Sequence, residues 1–84
     1  MPTTKQMLEK YEHLMETSKS YYVEGHNQLS EYLNRIDTHT KYIRDYISAV
    51  YVFDFMSDEE FNKLFDEIYL MHEKYWHLRL TKCE

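Results

Sequence analysis

The chain has 84 residues and a formal net charge of −5, with nine tyrosines but only one glycine and one proline. This length suits a single domain over residues 1–84, near the size at which one core supplies only about 3–5 kcal/mol of stability. The scarcity of helix-breaking residues predicts an all-α protein. The only cysteine, Cys83, excludes an intrachain disulfide, and no apolar run is long enough to span a bilayer. We therefore expect a cytoplasmic protein that is not inserted in a membrane.

Apolar residues recur at helical spacing in three segments, which predict helices over about 4–24, 27–54 and 58–80. Thr3 or Thr4 can cap the first helix. The apolar stripe of the first segment and that of the second lie in phase if the helix continues without interruption through Gly25. The stripes comprise Met7, Tyr11, Leu14, Ser18, Tyr21 and Tyr22, then Leu29, Tyr32, Leu33, Ile36, Ile43, Tyr46, Ile47, Val50 and Tyr51.

Gly25 therefore leaves two architectures open. As a left-handed C-cap, with Asn27 opening the next helix, it gives three helices of similar length in an up-down-up bundle. As a helix-interior residue it gives one long helix over about 4–53, with the third helix folded back against it. A helix of that length cannot bury its stripe within one chain and would require a dimer. We favour the three-helix bundle.

The third helix has the clearest start and the widest apolar surface. Ser57 followed by Glu60 forms a capping-box pattern just before Phe61. From there to Leu80 the large side chains cover an arc of roughly 200°, whereas a surface helix commonly buries a stripe a little over about 100° wide. Either two neighbouring helices or a second protein must cover this arc, so a homodimer or higher oligomer is predicted.

No pattern of catalytic, metal-binding or cofactor-binding residues is present. His72 and His77 are five residues apart, whereas two zinc ligands on one helix require a spacing of four. With one internal glycine the chain has no phosphate-binding loop, and no carboxylate precedes a histidine with the spacing of di-iron bundles. We expect no metal, no cofactor and no catalytic residue, and hence a protein that is not an enzyme.

The negative charge is concentrated in one stretch, residues 54–67, which holds six acids and the single base Lys63. This charge disfavours direct nucleic-acid binding, because such binding depends on clustered Lys and Arg. The stretch suits a partner protein with a basic surface. Alternatively, its first acids only complement the positive end of the helix dipole.

These observations predict a non-enzymatic regulator that binds another protein stoichiometrically, as an inhibitor or adaptor, through an acidic, tyrosine-rich helical surface. Two alternatives stay open: a homo-oligomeric structural protein, and a small-ligand binder with an interhelical pocket lined by His72, Tyr69 and Trp76. The candidate partner-binding residues are Asp58, Glu59, Asp66, Glu67, Tyr69, Leu70, Glu73, Trp76 and Tyr42.

Overall fold

A computed structural model describes residues 3–77, which form three α-helices and no strand. The helices are α1 (Thr4–Val23), α2 (Leu29–Val52) and α3 (Asp58–Trp76). Each helix contacts the other two, and α2 runs antiparallel to both of its neighbours. The described part of the chain is therefore an up-down-up three-helix bundle, which confirms the predicted fold class. No helix within residues 3–77 combines the length and the apolarity needed to cross a bilayer.

The break between α1 and α2 falls at Gly25, so the alternative of one long helix is wrong. Gly25 has a φ of +87°, a left-handed conformation that glycine adopts without steric cost. The amide of Gly25 donates to the carbonyl of Tyr22 (3.1 Å), and the amide of His26 donates to that of Tyr21 (2.9 Å). This pair of bonds is a Schellman motif, which satisfies the last carbonyls of α1 and reverses the chain.

The α2–α3 turn repeats this geometry without a glycine. Asp54 has a φ of +63°; its amide donates to the carbonyl of Tyr51, and the amide of Phe55 donates to that of Val50, both over 3.0 Å. Aspartate tolerates the left-handed region better than most residues, so the turn forms at a modest cost. The second helix consequently ends at Val52 and not at residue 54 as predicted.

Three other predicted helix ends change by one or more residues. The first helix ends one residue earlier than predicted, because Glu24 is its C-cap. The second begins at Leu29 with Gln28 as N-cap, so the role proposed for Asn27 is wrong. His77 is the C-cap of α3, and the remaining predicted part of that helix, 78–80, lies outside the described residues.

The two predicted caps are present. Thr3 accepts a hydrogen bond from the amide of Gln6 (3.1 Å), and the Gln6 side chain accepts one from the amide of Thr3 (2.9 Å). Ser57 accepts from the amide of Glu60 (3.2 Å), one of the two bonds of the expected capping box. Each cap satisfies donors that a helix N-terminus would otherwise leave unpaired.

The wide apolar arc of α3 is covered from both sides within the chain. Phe61 stacks on Tyr51 of α2 with ring centroids 4.3 Å apart, while Leu64 and Met71 line the groove between α1 and α3. Tyr69, at the edge of the predicted arc, is still 63% exposed, and Leu78 and Leu80 lie outside the described residues, so the predicted oligomer stays a prediction. The most deeply buried side chains of the bundle are Tyr11, Tyr32, Tyr75, Met15, Ile36, Ile47, Leu64, Ile68 and Ser18.

Candidate functional site

The buried tyrosines have internal partners and hold the bundle together. Tyr32, fully buried on α2, donates its hydroxyl to the carbonyl of Tyr75 in the last turn of α3 (2.5 Å). Tyr75 in turn donates its own hydroxyl to the carboxylate of Glu16 on α1. Burial, reinforced by neighbouring groups such as Glu16, raises the pKa of both phenols well above the ordinary value of 10.0. These phenols stay protonated and link the three helices.

A second buried hydrogen-bond chain joins α1 to α2. The Thr40 hydroxyl donates to the carbonyl of Ile36 (2.7 Å), so its single proton is used and it accepts from the Tyr11 hydroxyl (2.7 Å). Burial raises the pKa of Tyr11, and the hydrogen bond to Thr40 only partly opposes that rise. Among the described residues no buried side-chain polar atom lacks a partner.

The outward side of α3 carries five of the nine predicted partner-binding residues. At 100° per residue they fall within an arc of about 100°, away from the buried Leu64, Ile68 and Tyr75. Asp66 and Tyr69 also border the groove between α2 and α3. We call this surface the α3 face; it comprises Glu59, Asp66, Tyr69, Leu70 and Glu73. Tyr69 is 63% exposed and Leu70 66% exposed. Two large side chains thus stand in solvent between carboxylates.

The electrostatics of α3 make this face acidic. Residues 58–76 carry six acids against two lysines. Glu73 interacts with two histidines, His77 (3.2 Å to Nε2) and His72 (3.8 Å to Nδ1), whereas Asp66 has no ion-pair partner among the described residues. An exposed carboxylate without a cation beside it is available to a cation on another molecule.

The other four predicted residues lie elsewhere. Asp58 accepts a hydrogen bond from the Tyr51 hydroxyl, and Glu67 lines the groove between α1 and α3. Trp76 is half-buried against the core and stacks on His72, with ring centroids 5.3 Å apart. Tyr42, 64% exposed, lies on α2. The structure therefore does not bring all nine residues into one surface.

α2 carries an exposed aromatic surface that the sequence analysis did not predict. Tyr42 is the one residue of this surface that was among the candidates. Tyr46 was assigned to the apolar stripe but is 42% exposed, and Phe53, predicted in the last turn of the helix, is 70% exposed at the C-cap. With Ala49 these residues follow a spacing of four, three and four, within an arc of about 60°. We call Tyr42, Tyr46, Ala49 and Phe53 the α2 stripe. The spacing was visible in the sequence, but the position of the inner face was not.

An open groove of about 810 Å³ separates α2 from α3 and bears on the small-ligand alternative. His72 and Tyr69 line it as predicted, but Trp76 does not. Apart from Asp66, its charged side chains already have partners: His72 Nε2 lies 2.9 Å from an Asp37 oxygen, and Lys41 Nζ lies 3.3 Å from Asp45. The guanidinium of Arg44 lies over the Phe65 ring, 5.3 Å from its centroid. A ligand would have to displace these contacts, and the small-ligand alternative stays a prediction.

Among residues 3–77 no three His, Cys, Asp or Glu side chains lie close enough together to hold a metal ion. Comparison of the chain with protein-family models, with curated proteins and with solved structures finds no match. The site is therefore defined by its own geometry and charge.

Proposed function

We propose that the protein is a non-enzymatic regulator that binds another protein through the α3 face, as a stoichiometric inhibitor or adaptor in the cytoplasm. The observation that carries this proposal is the pair Tyr69 and Leu70, each about two-thirds exposed on a helix with an excess of acids. Exposed large side chains among charged groups are the usual composition of a protein-binding surface, with an apolar centre and a polar rim.

The charge of the face selects the kind of partner. Asp66 lies about one helical turn before the exposed pair and Glu73 about one turn after it, while Glu59 lies about three turns before it. They favour a basic protein surface, which they would attract over a distance set by the ionic strength. Tyr69 and Leu70 would then supply most of the binding energy, as large central side chains do in other interfaces.

Capture from native cell extract with matched baits tests this proposal. One bait carries Asp66→Asn and Glu73→Gln on the α3 face; the control carries Glu9→Gln and Glu12→Gln, which remove the same charge from exposed positions on α1. We expect the wild type and the control to retain the same basic protein, and the α3 variant to lose it. The retained protein should elute as NaCl is raised.

Equal retention by all three baits would refute the role of the carboxylates.

A second test uses the captured protein after purification, and measures its association rate with the wild type and with each variant. Neutralising the α3 face should slow association, whereas Tyr69→Ala should mainly speed dissociation. A partner that binds with an association rate indifferent to salt would contradict the electrostatic part of the proposal.

A further inference from the structure

The α2 stripe differs from the α3 face of the proposed function in its charge. It is an apolar surface on a helix of zero net charge. Within α2 three acids are balanced by three bases. The stripe also has flanking apolar groups at the helix end, because Val52 and Phe55 are 70% and 68% exposed. The stripe thus combines exposed aromatic rings with a helix that has no net charge.

The spacing of the stripe fits a helix. Residues separated alternately by four and three positions form the seam of two packed helices, where each side chain inserts between residues of the facing helix. Ala49 provides a small position between Tyr46 and Phe53, into which a ring from a facing helix can pack. The occupant that this surface fits is therefore an α-helix with a similar apolar seam.

Electrostatics determines which helix binds the α2 stripe. A chain of net charge −5 repels its own copies over most of its surface, and least where the local charge is zero. A basic partner gains nothing electrostatically from a neutral helix and is directed to α3 instead. A second copy of α2 meets both requirements, because it is neutral and carries the same seam.

The area available agrees with a reversible dimer. With about 150–250 Å² for each aromatic side chain, the exposed parts of the stripe and its two flanking residues offer roughly 500–600 Å² per copy. Two copies would then bury about 1,000–1,200 Å², at the lower limit for a specific interface. An antiparallel pair centred between Ile47 and Ser48 places Tyr42 of each copy beside Phe53 of the other and Tyr46 beside Ala49, so the contact closes with two-fold symmetry.

We propose that this protein forms a weak homodimer through the α2 stripe, which leaves both α3 faces free. The dimer does not depend on the function proposed above. Its response to salt is the opposite, because screening lowers the repulsion between two acidic chains but weakens the attraction of α3 for a basic partner.

Sedimentation equilibrium of the full chain tests the dimer from about 10 µM to about 1 mM, a range needed because dimer population depends on protomer concentration. A reductant is kept present, since Cys83 could join two chains covalently. The decisive pair is Tyr42→Glu and Tyr69→Glu, which add the same charge at positions that are 64% and 63% exposed. Circular dichroism checks that both variants keep their helices.

We expect the wild-type mass to rise from 10.5 kDa toward twice that value, and to rise further at high salt. Tyr42→Glu should weaken association at least about ten-fold. Tyr69→Glu should associate as the wild type does. If Tyr42→Glu loses helicity, Phe53→Asp at the C-cap replaces it with the same expected loss of association. A wild type that stays at one chain's mass, a Tyr42 variant that associates like the wild type, or an equal loss in the Tyr69 variant would each overturn the proposal.

Discussion

Tyrosine has different roles in the interior and on the outer faces of this bundle. Tyr11, Tyr32 and Tyr75 are at most 1% exposed, and each hydroxyl donates to a group on another helix. Tyr42 and Tyr69 are more than 60% exposed and face solvent. The difference shows that tyrosine count alone indicates neither core nor interface, because the position of each ring on its helix decides which role it takes.

Truncation of a buried ring should separate the two groups most strongly. Tyr32→Ala removes a fully buried ring that stacks on Tyr22 (4.5 Å between centroids) and a bond to α3. We expect a loss of about 3–5 kcal/mol in the free energy of unfolding, as for other large core truncations. Tyr69→Ala should change it by no more than about 0.5 kcal/mol. Urea denaturation monitored by circular dichroism measures both changes in unfolding free energy. Similar losses in the two variants would contradict the distinction between interior and outer tyrosines.

Removal of a single buried hydroxyl should have the next largest effect. Thr40→Val keeps the side-chain shape but deprives the Tyr11 hydroxyl of its acceptor, at a cost of about 1–3 kcal/mol. Thr17→Val is the matched control, since exposed Thr17 also donates to the carbonyl four residues before it, that of His13. The control should lie within about 0.5 kcal/mol of the wild type. If Thr17→Val were as damaging as Thr40→Val, the buried bond would not be the cause.

Alkaline pH should destabilise the interior without a specific effect on the outer faces. The folded-state pKa values of Tyr11, Tyr32 and Tyr75 are raised above 10.0, so the native state holds more protons than the unfolded state above that pH. The stability they provide is complete below about pH 10 and is lost as pH rises further. Absorbance at the phenolate band should show Tyr11, Tyr32 and Tyr75 ionising only as the helices unfold. One smooth titration with helicity unchanged would contradict this.

His39 should give the smallest effect, on the acid side. Partial burial lowers its pKa below 6.5, and the nearby Arg35 contributes to the shift. The unfolded state therefore binds a proton more readily, and stability falls as pH drops through about 6.5. His39→Gln should reduce this loss between about pH 7 and pH 5, measured as the change in the urea midpoint. An unchanged pH dependence would exclude His39 as its source.

The helix pattern could be predicted from the sequence because apolar periodicity, Thr3, Gly25 and Ser57 act locally. The end of α2 could not be predicted. It depends on the left-handed conformation of Asp54, which is unusual for a residue other than glycine and which the sequence does not require. Tyr42 and Leu70, two of the candidate partner-binding residues, are both exposed. Tyr46 was misplaced, since a residue at the margin of a broad stripe is buried only if a neighbouring helix covers that margin.

The outer tyrosines can be compared directly by photo-crosslinking in the cells that make the protein. A photoreactive phenylalanine replaces Tyr69, Tyr42 or exposed Lys10 in separate samples, each checked for helicity after purification. The account predicts that position 69 links the chain to a different, basic protein, that position 42 links it to a second copy, and that position 10 gives neither product. If position 69 gave no adduct, or only those seen at position 10, the central claim that the α3 face binds a partner protein would be contradicted.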